Sequence, residues 1–197
     1  MGLAQMAGSK YTVPEYLEME EQSEIRHEYY DGEIFAMAGT TMNHNRIVGR
    51  LRNLLERRFL PSGCDVFAEN VKVEAIKGMY YPYPDLVVTC APDDIAGTYI
   101  VKQPTILVEV LSKSSAVYDR GFKLLRYKRI ESLEYYLLVS QNEFVVELYT
   151  RTDQRDVWTF QTYESPSDVI QFEKLGFEIA VSSIYENIVF IPDEEPI

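Results

Sequence analysis

The sequence predicts a mixed α/β (α+β) domain, one sheet flanked by helices, and three observations predict it. The runs "YPDLVVTC" from Tyr83 and "TILVEVLSKSS" from Thr105 are apolar and rich in β-branched residues. Such continuous runs mark central strands buried on both faces. Around them lie stretches with apolar residues at helical spacing, the clearest from about Asn43 to Leu60. Finally, helix and strand signals interleave along the chain, which selects a mixed sheet with helices packed against it.

The elements follow in order. "YTVPEYLEMEEQ" opens with a short acidic helix, roughly Val13 to Glu21, with Thr12 as N-cap and Pro14 in the first turn. "HEYYDGEIFAM" reads as a hairpin around Asp31-Gly32. In the helix from Asn43 to Leu60, Ile47, Val48, Leu51, Leu54, Leu55 and Phe59 share one arc. His44 falls on that arc, so its ring should point inward, while Arg46, Arg50 and Arg57 form a basic stripe opposite. Pro61 and Gly63 stop the helix. "DVFAENVKVEAI" alternates Val71, Val73 and Ala75 with Lys72 and Glu74, a half-buried strand. The two central strands come next, then a helix in "SAVYDRGFKLLRYKRI". "EYYLLVS" and "EFVVELYT" read as a hairpin across Gln141-Asn142, and "DVWTFQTY" adds a strand. The tail from Ser167 reads as a weaker strand and a short helix.

No linker or repeat divides these 197 residues, so residues 11–197 form a single domain behind a flexible N-terminus, residues 1–10. With 46% hydrophobic and 13% aromatic residues the composition is globular. No apolar run is long enough to span a membrane, and "MGLAQMAGSK" has neither a basic n-region nor the Ser or Thr of a myristoylation signal. Cys64 and Cys90 lack CxxC spacing and read as buried thiols of a reduced, cytoplasmic protein. The net charge of −12 argues against tight non-specific binding of duplex DNA by broad phosphate neutralisation. A local basic groove, or a metal that bridges to phosphate, stays open.

The chemistry lies in the two central strands. Asp85 opens one, and Glu109 sits between Val108 and Val110 in the other. An ionised carboxylate in such a run costs several kcal/mol, about 2–7 for a polar group alone, unless something pairs with it. On adjacent strands at one level the two would converge, and a divalent cation such as Mg²⁺ (or Mn²⁺) is the natural occupant. It would polarise a phosphoryl oxygen and lower the pKa of an attacking water.

The pair Pro84-Asp85, followed 24 residues later by Glu109, resembles the PD-(D/E)xK nuclease superfamily. The ordered blocks "HEYYDGEI", "NH", "YPDLVV", "EVLSKSS" and "YDRGFKLLRYKRI" with "EYYLLV" resemble the Uma-type restriction endonucleases, over roughly Tyr11 to Tyr149. The resemblance implies a restriction-endonuclease-like sheet and metal-dependent hydrolysis of DNA. It also implies Asp85 and Glu109 as metal ligands, Glu33 as a further ligand to metal or water, and a homodimer to cut both strands. Leu111 stands where an ExK triplet carries its lysine. Lys113 shares Glu109's strand face, whereas Lys123, in the block Asp119, Lys123, Tyr127, lies on the following helix. Lys123 is the preferred catalytic lysine, with His44 beside the phosphate site. Plainer readings stand beside these. Asp119 and Lys123 have the spacing of a helix ion pair, Ser112, Ser114 and Ser115 of caps, the arginines of a solvated face. The rival function is a nuclease-fold binding domain that has lost turnover.

Overall fold

The computed structural model describes residues 4–5, 10–37, 39–154 and 156–190. The flexible N-terminus expected at residues 1–10 therefore lies largely outside the described residues; Ala4–Gln5 pair antiparallel with a strand of the first hairpin.

Helix α1 (Val13–Gln22) begins as the sequence predicts, with a full capping box between Thr12 and Glu15. Strands β1 (His27–Tyr30) and β2 (Glu33–Ala36) form the hairpin around Asp31 and Gly32, both at positive φ. That is the two-residue turn that an Asp-Gly pair favours. Tyr80–Tyr81 add a third short strand beside β1. Tyr16 of α1 packs on Tyr29, Ile34 and Tyr81 beneath this small sheet.

The main sheet holds six strands: β3 (Asp65–Ala68), β4 (Leu86–Thr89), β5 (Pro104–Leu111), β6 (Tyr135–Ser140), β7 (Val146–Arg151) and β8 (Trp158–Tyr163). Their spatial order is β8-β7-β6-β5-β4-β3. The sheet is mixed, because β5 and β6 run parallel while every other neighbouring pair is antiparallel. A parallel pair needs a crossover. Helix α3, residues 116–127, supplies it.

Helix α2 (Met42–Phe59), N-capped by Thr41, lies on one face of the sheet. Its buried arc of Ile47, Val48, Leu51, Leu55 and Phe59 meets Ile106, Val108 and Val110 of β5. The other face carries Leu107, Leu111, Tyr136 and Leu138, packed on Leu124 and Tyr127 of α3. Helix α3 is not uniform. Its middle, Asp119–Lys123, winds as a π turn in which the Leu124 N–H reaches back to the Asp119 carbonyl.

Several expectations are corrected. Cys64 and Cys90 are not thiols but a disulfide. They extend the Asp65–Thr89 pair of β3 and β4 by one step, which sets them opposite each other. The expected strand through Val71–Ala75 is broken, because Glu69 and Asn70 adopt positive φ. Only Lys72–Val73 pair, with Ile100–Val101, and both are buried rather than alternating. The β6–β7 connection is a loop of residues 141–145, and Gln141 is buried instead of turning in solvent. The tail forms a hairpin, β9 (Val169–Phe172) and β10 (Phe177–Ala180), before helix α4 (Val181–Ile184). Ile170, Phe172, Ile179 and Ile184 add to the α2 face of the core. Among the described residues no helix is long and apolar enough to cross a membrane.

Candidate active site

Strand register brings the two carboxylates together. Leu86 pairs with Val108 across the antiparallel β4–β5 ladder, so Asp85, one step before β4, falls opposite Glu109. Both line one cavity of about 150 Å³, between the first turn of α2, the end of β5 and the start of α3. Val110 N–H donates to Asp85 Oδ2 at 2.7 Å, and His44 Nε2 lies 3.1 Å from the same oxygen. His44 is held there because Thr41 caps the helix that carries it. Its Nδ1 is buried without a hydrogen-bond partner among the described residues.

Glu109 points away from α2 and toward α3. Lys123 Nζ donates to Glu109 Oε1 at 2.9 Å, and Tyr127 Oη–H donates to the same oxygen at 2.8 Å. The ammonium also lies 3.3 Å from Asp119 Oδ1 and 3.6 Å from Glu28 Oε1. All four charged side chains are buried: Glu28 is 3% exposed, Glu109 4%, Asp119 2% and Lys123 7%. Asp119 and Lys123 are thus no surface ion pair, and the π turn that holds them belongs to the wall of the site. Gln141 closes the cavity from the β6–β7 loop, donating to the Leu111 carbonyl at 3.1 Å and accepting from the Thr41 hydroxyl.

The titration of these groups follows from the crowding. Burial pushes the Glu109 carboxyl well up, and the charges of Asp119 and Asp85 add to that, against the pull of Lys123. Glu28 is raised for the same first reason. Burial alone would lower Lys123, but Glu109 and Glu28 outweigh it and hold the ammonium well above its ordinary value. His44 is likewise pulled down by burial and, on balance, raised by the bond and charge of Asp85. Four carboxylates face one ammonium and one imidazole. With all of them ionised, the site would carry excess negative charge.

That excess fits a divalent cation. The hydrogen bonds to Asp85 all use Oδ2 and those to Glu109 all use Oε1, so among the described residues Oδ1 and Oε2 stay available as hard oxygen donors. Glu28 Oε2 is buried with no hydrogen-bond partner among the described residues. No set of three or more His, Cys, Asp or Glu side chains among the described residues forms a ready cage. A site of one or two carboxylates completed by water and phosphate is the habit of magnesium.

Comparison with known proteins places the chain in a family. The sequence profile of the Uma2 family, described as "Putative restriction endonuclease", matches residues 13–182. The chain belongs to the Uma2 family. Two uncharacterized proteins of Synechocystis sp. are similar to this Uma2 member along most of its length. One is 36% identical over 181 residues, covering 92% of this chain and 94% of the relative. The other is 31% identical over 163 residues, covering 82% and 92%. The crystal structure of "a putative nuclease belonging to DUF820" from Anabaena variabilis shares the fold with a TM-score of 0.71. That likeness covers 89% of this chain and 97% of the other, at 17% identity.

Of the residues singled out from sequence, Asp85, Glu109, His44 and Lys123 line the cavity. Glu33 does not. It shares the face of Glu28 but pairs with Tyr30 beside the Asp31-Gly32 turn, two residue pairs further out along the hairpin. Glu28 occupies the place expected of Glu33. Lys113 lies exposed in the turn after β5 and does not line the cavity, so the lysine at Glu109 is Lys123. Glu28 and Gln141 were missed. A four-residue strand of "HEYY" offers no alternation to say which face is inward, and a glutamine in a loop carries no signal at all.

Proposed function

We propose that this chain is a metal-dependent endonuclease that hydrolyses DNA phosphodiester bonds with water as the nucleophile. The observation that carries the reading is the pairing of Asp85 with Glu109 across one ladder, each with one oxygen tied by the protein and one available. These two would hold Mg²⁺ (or Mn²⁺). Bound there, the metal would polarise a phosphoryl oxygen and lower the pKa of a water.

The chain's own residues supply the rest. Lys123, held protonated by its carboxylates, acts as a positive charge beside Glu109 rather than as a base. It stabilises negative charge that develops on the phosphoryl oxygens. Tyr127 orients Glu109 by its 2.8 Å hydrogen bond, and His44 orients Asp85 from the opposite side. Leu111 in place of the usual lysine is no loss, because the helix returns an ammonium to the same carboxylate. A homodimer would present two such sites to duplex DNA with matching two-fold symmetry.

Titrating Mg²⁺ while following thermal unfolding tests the reading, alongside cleavage of plasmid DNA. A ligand that binds only the folded state raises stability as its concentration passes the dissociation constant. The wild-type protein should gain stability with Mg²⁺ and nick DNA. Asp85→Asn should be as stable as wild type without metal, gain nothing from Mg²⁺, and not cleave. Full cleavage by purified Asp85→Asn sinks the assignment. A metal-dependent stability gain with no cleavage by the wild type favours a binding domain that has lost turnover.

A further inference from the structure

Two lysines are buried among the described residues, Lys72 and Lys123. Lys123 meets three carboxylates within 3.6 Å. Lys72 forms no ion pair and no side-chain hydrogen bond among the described residues. Its Nζ sits instead 4.6 Å from the ring centroid of Tyr16 and 5.7 Å from that of Tyr83. Burial pushes its pKa down. It faces a second cavity of about 360 Å³, and Arg26 stands on the same wall.

Arg26 forms no ion pair with a described residue; its guanidinium donates to the Glu20 backbone carbonyl at 3.2 Å. Glu20 and Glu21 also line this cavity. Glu20, however, has both oxygens taken, Oε1 by the Tyr83 hydroxyl and the His27 N–H, Oε2 by His27 Nδ1. Glu20 attracts Lys72 across the cavity and Arg26 repels it, yet neither cation has an ion-pair partner among the described residues, so each keeps a charge to offer an anion. The cavity is also connected to the candidate site. Tyr83 lines both, and a groove that shares Arg26, Asn70 and Tyr83 with the one and His44 and Asp85 with the other lies beside them, with Glu24 and Glu69 also on its walls.

We propose that Lys72 and Arg26 form a second phosphate subsite, which binds a backbone phosphate of the DNA strand running on from the Asp85–Glu109 cleft. The proposal rests on the nuclease reading for its ligand. Phosphate contacts fix the register of a protein on nucleic acid without reading sequence. In an acidic chain, such a contact also gives binding a local anchor that net charge does not. Lys72 binds as a charge set between tyrosine rings, so its subsite positions the strand and leaves the chemistry to Lys123.

The test uses the full chain with Lys72→Met, which keeps the aliphatic stem between the rings, and Arg26→Gln on the exposed wall. Binding of a fluorescein-labelled DNA duplex is followed by anisotropy in EDTA over a range of salt, and cleavage is followed with Mg²⁺. Each variant should weaken binding about tenfold and reduce the slope of log affinity against log salt by about one. KM should rise while kcat holds, and Lys72→Arg should restore binding. Wild-type affinity and slope in both variants, with DNA still cleaved, overturn the subsite and leave the nuclease reading intact. Weaker binding with an unchanged salt slope also overturns it, because the loss is then packing. A slope that depends on Lys72 and Arg26 in a protein that never cleaves DNA upholds the subsite and removes the nuclease reading. Absence of DNA binding by the wild type overturns both. Should Lys72→Met fail to fold, Arg26→Gln and Lys72→Arg decide the same question.

Discussion

The two faces of the six-stranded sheet are built from the same strands and bury opposite kinds of side chain. On the α2 face, Leu86, Val88, Ile106, Val108 and Val110 meet Ile47, Leu51 and Leu55 in one apolar cluster. On the α3 face, the alternate residues of β5 are Leu107, Glu109 and Leu111, and Glu109 meets Lys123, which also draws in Asp119 and Glu28. The first face stabilises the fold by removing apolar area from water. The second places charge where burial is costly, and hydrogen bonds to Lys123 and Tyr127 offset only part of that cost. A strand with period two lets one segment do both. Val108 and Glu109 are neighbours in sequence and belong to different problems.

The sharpest way to break the comparison is to remove the one ammonium of the polar face. Lys123→Met leaves Glu109, Glu28 and Asp119 buried without their cation, and such a loss costs about 3–5 kcal/mol. Urea unfolding should show that loss at neutral pH and a large recovery when Mg²⁺ is added. An equally large cut on the apolar face, Ile106→Ala, should cost about 2–5 kcal/mol. Mg²⁺ should not restore it. If both variants respond to the metal alike, the two faces are not energetically separate.

Removing the Cys64–Cys90 link should come next in size. Its partners are 26 residues apart, at the margin of the α2 face, and a cross-link of this kind contributes typically about 2–4 kcal/mol. Cys90→Ser should lower the unfolding temperature to that extent and leave Mg²⁺-dependent cleavage unchanged. A loss of cleavage in this variant would tie the link to the polar face instead.

The pH dependence should separate the faces more gently. Glu109 and Glu28 have folded pKa values above their unfolded ones, so their protonated forms favour the folded state. Their stabilising effect is complete below the ordinary carboxylate range and is lost as pH rises through the raised folded values. Lys123 and His44 are also raised, and each contributes stability that disappears as pH climbs through its folded value. In EDTA the unfolding temperature should therefore fall as pH rises above the carboxylate range. Glu109→Gln should flatten that fall, and Ile106→Ala should shift the curve without changing its shape. A slope that Glu109→Gln leaves untouched would mean the carboxylate is not the group that titrates.

The smallest effect is expected from the outer face of α2. Arg46 and Arg57 are exposed and Arg50 is half-buried, on the side of the helix away from the sheet. Arg50→Glu should change stability by less than about 0.5 kcal/mol. If DNA lies along α2, the same variant should weaken binding in anisotropy measurements; unchanged affinity removes this helix from the binding surface.

The apolar face was legible because its information is periodic. The arc of α2 from Ile47 to Phe59, the capping of α1 by Thr12 and the Asp31-Gly32 turn all depend on residues close in sequence. Asp85 and Glu109 were legible for the opposite reason, as charges that interrupt an apolar run. Lys123 could be preferred over Lys113 only through its block with Asp119 and Tyr127. Burial of that block required the π turn, which no local pattern announced. Lys72 was misplaced because Glu69 and Asn70 break the strand through left-handed backbone, and neither is glycine.

By itself, then, the sequence determined the long helix and the central strands, that a mixed sheet results, and that two carboxylates must find partners inside it. Tertiary structure decided who those partners are. Glu28 rather than Glu33 reaches the cavity because hairpin pairing sets Glu33 at the turn, and Cys64 meets Cys90 because β3 and β4 pair one step away. Lys123 meets Glu109 because β5 and β6 are parallel, which forces a crossover helix onto the face where Glu109 points. Each of these depends on strand register between distant segments. A one-residue shift in register exchanges the faces of a strand, whereas helix periodicity and turn chemistry would survive it unchanged.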